Sequence, residues 1–406
     1  MKSSDLIKHL TESGLMPQEE MLEVQCGDRS LYIGIPKESA LQEKRVALVP
    51  NSIGLLVSNG HRVVVEKGAG VAANFSDKDY SEAGAEIAYK TEDVFKADII
   101  IKVAPLTLEE MEFLDPLQKQ ILFSALQLSS QPKDSMKMLM KKKVTGIAYD
   151  FIKDREGVYP IVRSMSEIAG NTSILIAAEY LSNANNGHGI MMGGVPGVKP
   201  TEVVILGAGG VGEFAARAAL GLGASVKIFD NESHRLRRVL INLSQRIYTS
   251  IIQPKLLKKA LINADVVIGA LRPKNGRTPC VVSEDMISDM KFGSVIIDVS
   301  IDTGGCFETS EITSHENPVF KKYGVTHYCV PNIASRVSRT ASYALSNIFT
   351  PMILDMGEDG GLEKMMHNQA GIRNGVYMYK GILTSKTLGE TFDLPYKSID
   401  LLMAAI

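Results

Sequence analysis

From Leu31 onward, short runs rich in β-branched residues alternate with segments of helical periodicity. The β-rich runs are Leu31–Ile35, Arg62–Glu66, Asp98–Val103, Gln120–Leu126 and Lys143–Tyr149. The helix-like segments are Ser52–Asn59, Asp77–Ala83, Leu108–Leu114 and Lys133–Lys142. Alternation at this spacing predicts βαβ units and a parallel sheet. A longer helix is expected over Ser166–Ser182, and the Gly- and Asn-rich stretch Asn183–Val198 after it reads as a domain junction. A second alternation follows, with strands expected at Thr201–Leu206, Ser225–Asp230, Arg246–Ile252, Asp265–Ala270, Ser294–Ser300 and Thr326–Pro331. Six strands with helices between them make one complete doubly wound unit. Arg339–Met356 has helical periodicity again, and too little chain follows it for a third core. The expected organisation is therefore α/β, with a domain at 161–337 inserted in a discontinuous one at 31–160 and 338–406. Residues 1–30, polar and weakly helical around Leu6, Ile7, Leu10 and Leu15, form an N-terminal extension.

Composition narrows the function without choosing it. The 406 residues are 45% hydrophobic and 22% charged, as in an ordinary globular protein. A formal charge of -2 offers no broad electrostatic footprint for nucleic acid. Apolar stretches such as Val203–Leu206 or Ile174–Ala178 fall far short of the roughly 20 residues that cross a bilayer, so no membrane association is expected. The N-terminus has no continuous apolar core of a secretory signal, which suggests a cytoplasmic protein. Cys26, Cys280, Cys306 and Cys329 lie far apart with no CxxC spacing, so they are expected to be reduced, and no metal site is expected.

The sharpest motif is Gly207-Ala208-Gly209-Gly210-Val211-Gly212, which follows the apolar run Val203–Leu206 and opens the helix-like run Glu213–Leu222. Gly207 would permit the tight turn, Gly209 would let the backbone approach a pyrophosphate, and Gly212 would allow close packing of helix on strand. The helix N-terminus presents free N–H groups to the anion. Asp230 ends the second strand 18 residues past Gly212, where a carboxylate can accept hydrogen bonds from a ribose diol and repel a 2′-phosphate. The combination predicts a Rossmann-like domain that binds NAD. The basic run His234-Arg235-Leu236-Arg237-Arg238 lies just beyond, either as a solvated helix face or, through Arg235, at the cofactor.

With that site placed, the flanking motifs IGIPKE (Ile33 to Glu38), EKRVALVP (Glu43 to Pro50), GAG (Gly68 to Gly70), MSEIAG (Met165 to Gly170), GGVPGV (Gly193 to Val198), IDVSIDTGGCFETS (Ile297 to Ser310) and HYCVPN (His327 to Asn332) point to one family. From about Tyr32 to Thr384 the chain resembles alanine dehydrogenase and its relative, the soluble NAD-binding domain of proton-translocating transhydrogenase. The resemblance implies a homo-oligomer, commonly a hexamer, that interconverts L-alanine with pyruvate and ammonia using NAD. It implies that Arg45 binds the substrate carboxylate, that Lys102 contacts the substrate oxygens, and that Asp302 lies near the nicotinamide. Met165 and Ser166 match positions flanking the nicotinamide. Val299, Val330, Asn332 and Ile333 match positions lining the cofactor, with Gly210, Val211, Ala270 and Leu271 as further expected contacts. The chemistry of the residue types agrees: arginine offers a planar fork for a carboxylate, and a desolvated lysine can polarise a carbonyl or exchange a proton. Read from the residues alone, Arg45 among its charged neighbours fits a surface group or a functional one equally, whereas Lys102 at a strand end stands where such folds hold ligands, with emergence into solvent as the alternative.

The chain departs from the family where its catalytic histidine would stand. The corresponding run is Phe123-Ser124-Ala125-Leu126-Gln127-Leu128, with Gln127 at the matching position. Glutamine binds through hydrogen bonds but does not titrate near neutral pH. Three readings stay open: an alanine dehydrogenase in which Lys102 or Asp302 handles the protons, a dehydrogenase for another 2-oxo acid or amino acid, and an NAD(H)-binding regulatory protein. His327, at the end of the sixth strand, is expected to be structural.

Overall fold

The computed structural model describes residues 30–40, 42–126, 132–273 and 277–404. Gln127 and nearly all of the N-terminal extension lie outside the described residues. Two sheets organise the rest. The first has eight strands: β1 (Tyr32–Ile35), β2 (Arg62–Glu66), β3 (Glu86–Ala88), β4 (Ile99–Ile101), β5 (Ile121–Ser124), β6 (Thr145–Ala148) and, from the far end of the chain, β14 (Val376–Tyr379) and β15 (Ile382–Leu383). The second has seven, all drawn from the sequence between those parts: β7 (Glu202–Leu206), β8 (Ser225–Phe229), β9 (Tyr248–Ser250), β10 (Val266–Gly269), β11 (Val295–Asp298), β12 (Val319–Lys322) and β13 (Val325–Tyr328).

The first sheet runs β15-β14-β6-β5-β4-β1-β2-β3 and the second β12-β13-β11-β10-β7-β8-β9. Within each, six parallel strands follow the doubly wound order 3-2-1-4-5-6, so strand order reverses between β1 and β4 and again between β7 and β10. In such sheets the crevice at the reversal, beyond the carboxyl ends of the strands, is where ligands bind. The central strands read as continuous apolar runs because helices cover both faces. Ile99, Ile100 and Ile101 of β4 and Val203 to Leu206 of β7 are all buried.

The antiparallel edges escape the sequence pattern. β12 pairs antiparallel with β13, and the β14–β15 hairpin closes the other sheet against β6. Its turn is Lys380-Gly381, both at positive φ, as a two-residue type I′ connection requires. β3 contains one β-branched residue, Ile87, and so gives no β-rich run in the sequence.

Five helices matter for the site: α1 (Pro50–Ser58), α2 (Leu108–Glu112), α3 (Pro160–Leu181), α4 (Gly210–Gly221) and α5 (Ser338–Glu358). α3 begins six residues earlier than its periodicity suggests, because Pro160 occupies the first turn, where its missing N–H costs nothing. It packs tightly on α4: a Cβ on Gly170 would lie 2.4 Å from the Val211 carbonyl oxygen.

α5 holds the segment before α1 by an unusual polar contact. Lys44, Val46 and Val49 donate their backbone N–H groups to the hydroxyls of Ser335, Ser342 and Ser346 at 2.8, 2.9 and 3.0 Å. Ser342 in turn donates to the Ser338 carbonyl, and Ser346 to the Ser52 hydroxyl. An extended segment that no strand partners is thus satisfied by Ser342 and Ser346 on α5 and by Ser335 in the 3₁₀ turn Ile333–Val337 before it. Ser342→Ala would leave the buried Val46 N–H unpaired, at a cost of about 1–3 kcal/mol. We expect urea unfolding of that variant to show this loss. Ser58→Ala, which removes an exposed hydroxyl bonded to the Leu55 carbonyl, should stay within about 0.5 kcal/mol of the parent.

Candidate active site

The segment fixed by α5 carries Glu43 and Arg45, and both are buried, not on the surface as their charged neighbours suggest. Glu43 takes the guanidinium side-on: Arg45 Nε donates to Oε1 at 2.8 Å and Nη2 to Oε2 at 2.7 Å. Burial would raise the Glu43 pKa, but the charge and hydrogen bonds of Arg45 hold it below the usual carboxylate range. Burial acts against the guanidinium too, and Glu43 outweighs it, so Arg45 stays fully cationic. Among the described residues, the Nη1 side of the fork meets only a soft acceptor, the Met165 sulfur at 3.2 Å. A buried arginine with one edge fixed by a carboxylate and the other against a thioether is oriented to receive a second carboxylate.

Asn332 joins this pair to the second sheet. Its side-chain amide donates to Glu43 Oε2 at 2.5 Å, and its backbone N–H donates to Asp302 Oδ1 at 2.9 Å. Asn332 sits in the left-handed region, φ 57° and ψ 48°, which asparagine tolerates better than most residues. Asp302 follows β11 in a single 3₁₀ turn, Val299–Thr303. Its carboxyl is reached by solvent yet crowded by protein. That desolvation raises its pKa, against the opposing pull of the Asn332 N–H and Arg45.

Lys102, directly after β4, is fully buried and does not emerge into solvent. Its ammonium is held by Glu110 at 2.7 and 2.8 Å, with Glu38 Oε2 at 3.8 Å. Glu110 is also the N3 residue of the capping box that starts α2 from Thr107, so one carboxylate both begins a helix and seats the lysine. Asp150, just past β6, accepts from the Leu126 N–H at 3.3 Å. Burial raises its pKa to about 6, against hydrogen bonds from the backbone and the charge of Arg272.

At the second reversal point the glycine motif forms the turn from β7 into α4. Gly207 has φ +113°, and a Cβ there would lie 2.3 Å from the Ala270 carbonyl oxygen. A Cβ on Gly212 would lie 1.9 Å from the Gly207 carbonyl oxygen, whereas one on Gly209 would meet nothing within 4 Å. Gly209 caps α4 with no side-chain partner, leaving backbone N–H groups at the start of a 12-residue helix to face that open space. The residues present therefore fit a dinucleotide pyrophosphate. Asp230 is buried and fastens the turn, accepting from the Ala208 and Glu232 N–H groups at 2.7 Å each. Arg235 lies 4.0 Å from it, and Arg238 donates to the Ala208 carbonyl. Leu271 accepts from the Ser300 hydroxyl through its carbonyl, while Val330 and Ile333 are buried and Val299 half-buried along the same edge.

α3 touches both halves. Met165 meets Arg45, and Ser166 stands beside the glycine turn, 3.1 Å from where a Gly210 Cβ would be. His327 is structural: its Nε2 bonds the Thr309 hydroxyl, its ring stacks on Phe320, and burial lowers its pKa to about 4. Reading the sequence residue by residue missed Glu38, Glu43 and Glu110 as site components. Only Glu110 had a legible signal, the capping-box spacing from Thr107. No cluster of metal-ligating side chains and no helix able to cross a membrane occurs among the described residues.

Family models described as alanine dehydrogenase/PNT, N-terminal domain and C-terminal domain match residues 34–169 and 173–386. The alanine dehydrogenase of Methanococcus maripaludis is 40% identical over 368 residues, covering 90% of this chain and 98% of that protein. Alanine dehydrogenase 2 of Staphylococcus aureus is 41% identical over 372 residues, covering 91% and 99%. A solved L-alanine dehydrogenase superposes with a TM-score of 0.82 at 35% identity, over 89% of this chain and 99% of its own. A transhydrogenase structure from Sinorhizobium meliloti shares the fold, with a TM-score of 0.73 at 24% identity over 87% and 99%.

The glycine geometry separates folding from binding. Gly209→Ala should keep the parent's thermal melt yet weaken NADH binding at least about tenfold, read by quenching or enhancement of NADH fluorescence. Gly212→Ala should lower the melting temperature itself.

Proposed function

The chain belongs to the alanine dehydrogenase/PNT family, and from that premise we propose that it is an NAD-dependent dehydrogenase interconverting L-alanine with pyruvate and ammonia. The observation that carries this reading is the meeting of Arg45 and Asp302 through Glu43 and Asn332. One group suited to a substrate carboxylate thereby stands against one suited to the reacting end of a bound cofactor. NAD, held at the glycine turn, supplies the acceptor for the electron pair leaving the substrate Cα.

The roles of the chain's own residues follow from their chemistry. The substrate carboxylate displaces the Met165 sulfur and pairs with the Nη1 side of Arg45, whose other edge stays on Glu43. Lys102 polarises the carbonyl or imine from its seat on Glu110 and passes protons at its Nζ. Asp302 positions substrate against cofactor, and Gln127 hydrogen-bonds the substrate without titrating. We assign residues 161–337 as the NAD domain inserted between 31–160 and 338–406. The protein is then a homo-oligomer of the cytoplasm, a reducing compartment in which Cys280, Cys306 and Cys329 stay free thiols. A second reading, a dehydrogenase for another 2-oxo acid, draws on Gln127 standing where the family places histidine.

NADH oxidation with pyruvate and ammonium, run beside a panel of 2-oxo acids, tests the assignment. Pyruvate should be turned over, and Lys102→Ala should lower the rate by about 10²- to 10⁴-fold. Turnover of a different 2-oxo acid alone would establish the second reading. If pyruvate served only the Gln127→His variant, alanine would not be the native substrate.

A further inference from the structure

Five charged side chains crowd the carboxyl edge of the first sheet where its strand order reverses: Glu38 after β1, Glu43 and Arg45 in the segment leading to α1, Lys102 after β4, and Glu110 on α2. Two of the carboxylates are matched. Glu43 closes on Arg45 through two hydrogen bonds, and Glu110 closes on Lys102 through two more. Glu38 is the third carboxylate beside two cations. Its side chain is only 6% exposed, and its close partners are backbone N–H groups, Val103 at 2.6 Å and Ala104 at 3.2 Å. Lys102 Nζ stands 3.8 Å from its Oε2. The other charged groups that act on it are Glu43 and Arg45; the neighbouring Tyr149 phenol, kept neutral by burial, donates to the Val103 carbonyl.

We infer that Glu38 is the proton store of this site, exchanging with the substrate through Lys102 in place of the missing imidazole. Burial pushes the Glu38 carboxyl up to about 7, with Lys102 drawing it down and Glu43 adding to the rise. A group poised there changes state at the pH where the reaction must take up and return protons. In the deaminating direction the Lys102 ammonium, bonded to Glu110 and 3.8 Å from Glu38 in this structure, closes on the Glu38 carboxylate and gives it one proton, and the substrate ammonium refills Lys102. The net change is substrate –NH3⁺ to –NH2 and Glu38 –COO⁻ to –COOH. The nitrogen lone pair then forms the C=N bond as the Cα–H electron pair leaves for NAD. Water adds to the iminium carbon, a proton passes from its oxygen to the nitrogen, and ammonium departs, leaving pyruvate. The stored proton passes to solvent. Glu38 acts through Lys102 and does not touch substrate, so it is a positioning and relay residue.

This inference rests on the proposed reaction, and two measurements on the full-length protein keep the two apart. The first is infrared titration without substrate. The parent should show a protonated-carboxyl band with a midpoint near 7 that Glu38→Gln lacks, and persistence of that component in the variant overturns the assignment. The second is the pH profile of alanine-dependent NAD reduction. The parent's rate should rise with pH through about 7, since the carboxylate form accepts the proton. Glu38→Gln should lose that inflection and about 10²-fold in kcat with KM for alanine little changed. Glu38→Asp should restore an inflection. An equal loss at every pH with the inflection kept would mean a purely structural role and overturn the relay. Should Glu38→Gln not fold by circular dichroism, a shifted band midpoint in Glu38→Asp decides in its stead. Should the parent not turn over alanine, the proposed reaction falls, and the infrared band alone decides whether Glu38 holds the proton.

Discussion

A guanidinium removed from water must be paired, and the pairing of Arg45 with Glu43 ties the segment before α1 to the loop after β13 through Asn332. Isolated, either charge would be too costly to bury; together, with backbone N–H groups on the same carboxylate, they are tolerated. The pair needs a rigid platform, and α5 provides it through serine hydroxyls that take the place of a strand. The same carboxylate then accepts from Asn332, so the geometry of the second sheet is referred back to this one ion pair.

The repeated 3-2-1-4-5-6 order explains why the chemistry collects where it does. In each sheet the two central strands send their following loops in opposite directions, which leaves a crevice between them. The first crevice gathers Glu38, Lys102 and the Arg45 segment; the second gathers the glycine turn, Ala270 and the loop carrying Asp302. Backbone dipoles and loop ends meet there, so a few side chains suffice to define the site.

Most of the parallel framework was legible because buried strands of β-branched residues and amphipathic helices differ in period, and the glycine motif sat between a strand and a helix as its mechanism demands. The antiparallel additions were not. β12 and β14 are four residues long and gain their strand character from a neighbour already in place. For β14 a local cue existed in Lys380-Gly381. Within the site, residue type and motif singled out Arg45, Lys102 and Asp302. Their partners were hidden because Glu38, Glu43 and Glu110 look like ordinary surface acids until burial is known. Charge clustering left Arg45 open as a solvated or a functional group, and the fold buries it by laying the segment under α5.

Met165 and Ser166 are neighbours on one turn of α3, one against Arg45 and the other against the glycine turn. The missing Cβ of Gly170 clamps the next turn onto α4, so this stretch of helix cannot yield on one side without moving on the other. A carboxylate that displaces the Met165 sulfur and a dinucleotide that settles beside Ser166 thus press on the same few backbone atoms. Thermodynamic reciprocity then requires that whatever one occupant does to the affinity of the other be returned by the same factor. Under the proposed binding, cooperation between the two ligands would pass through this one turn of α3.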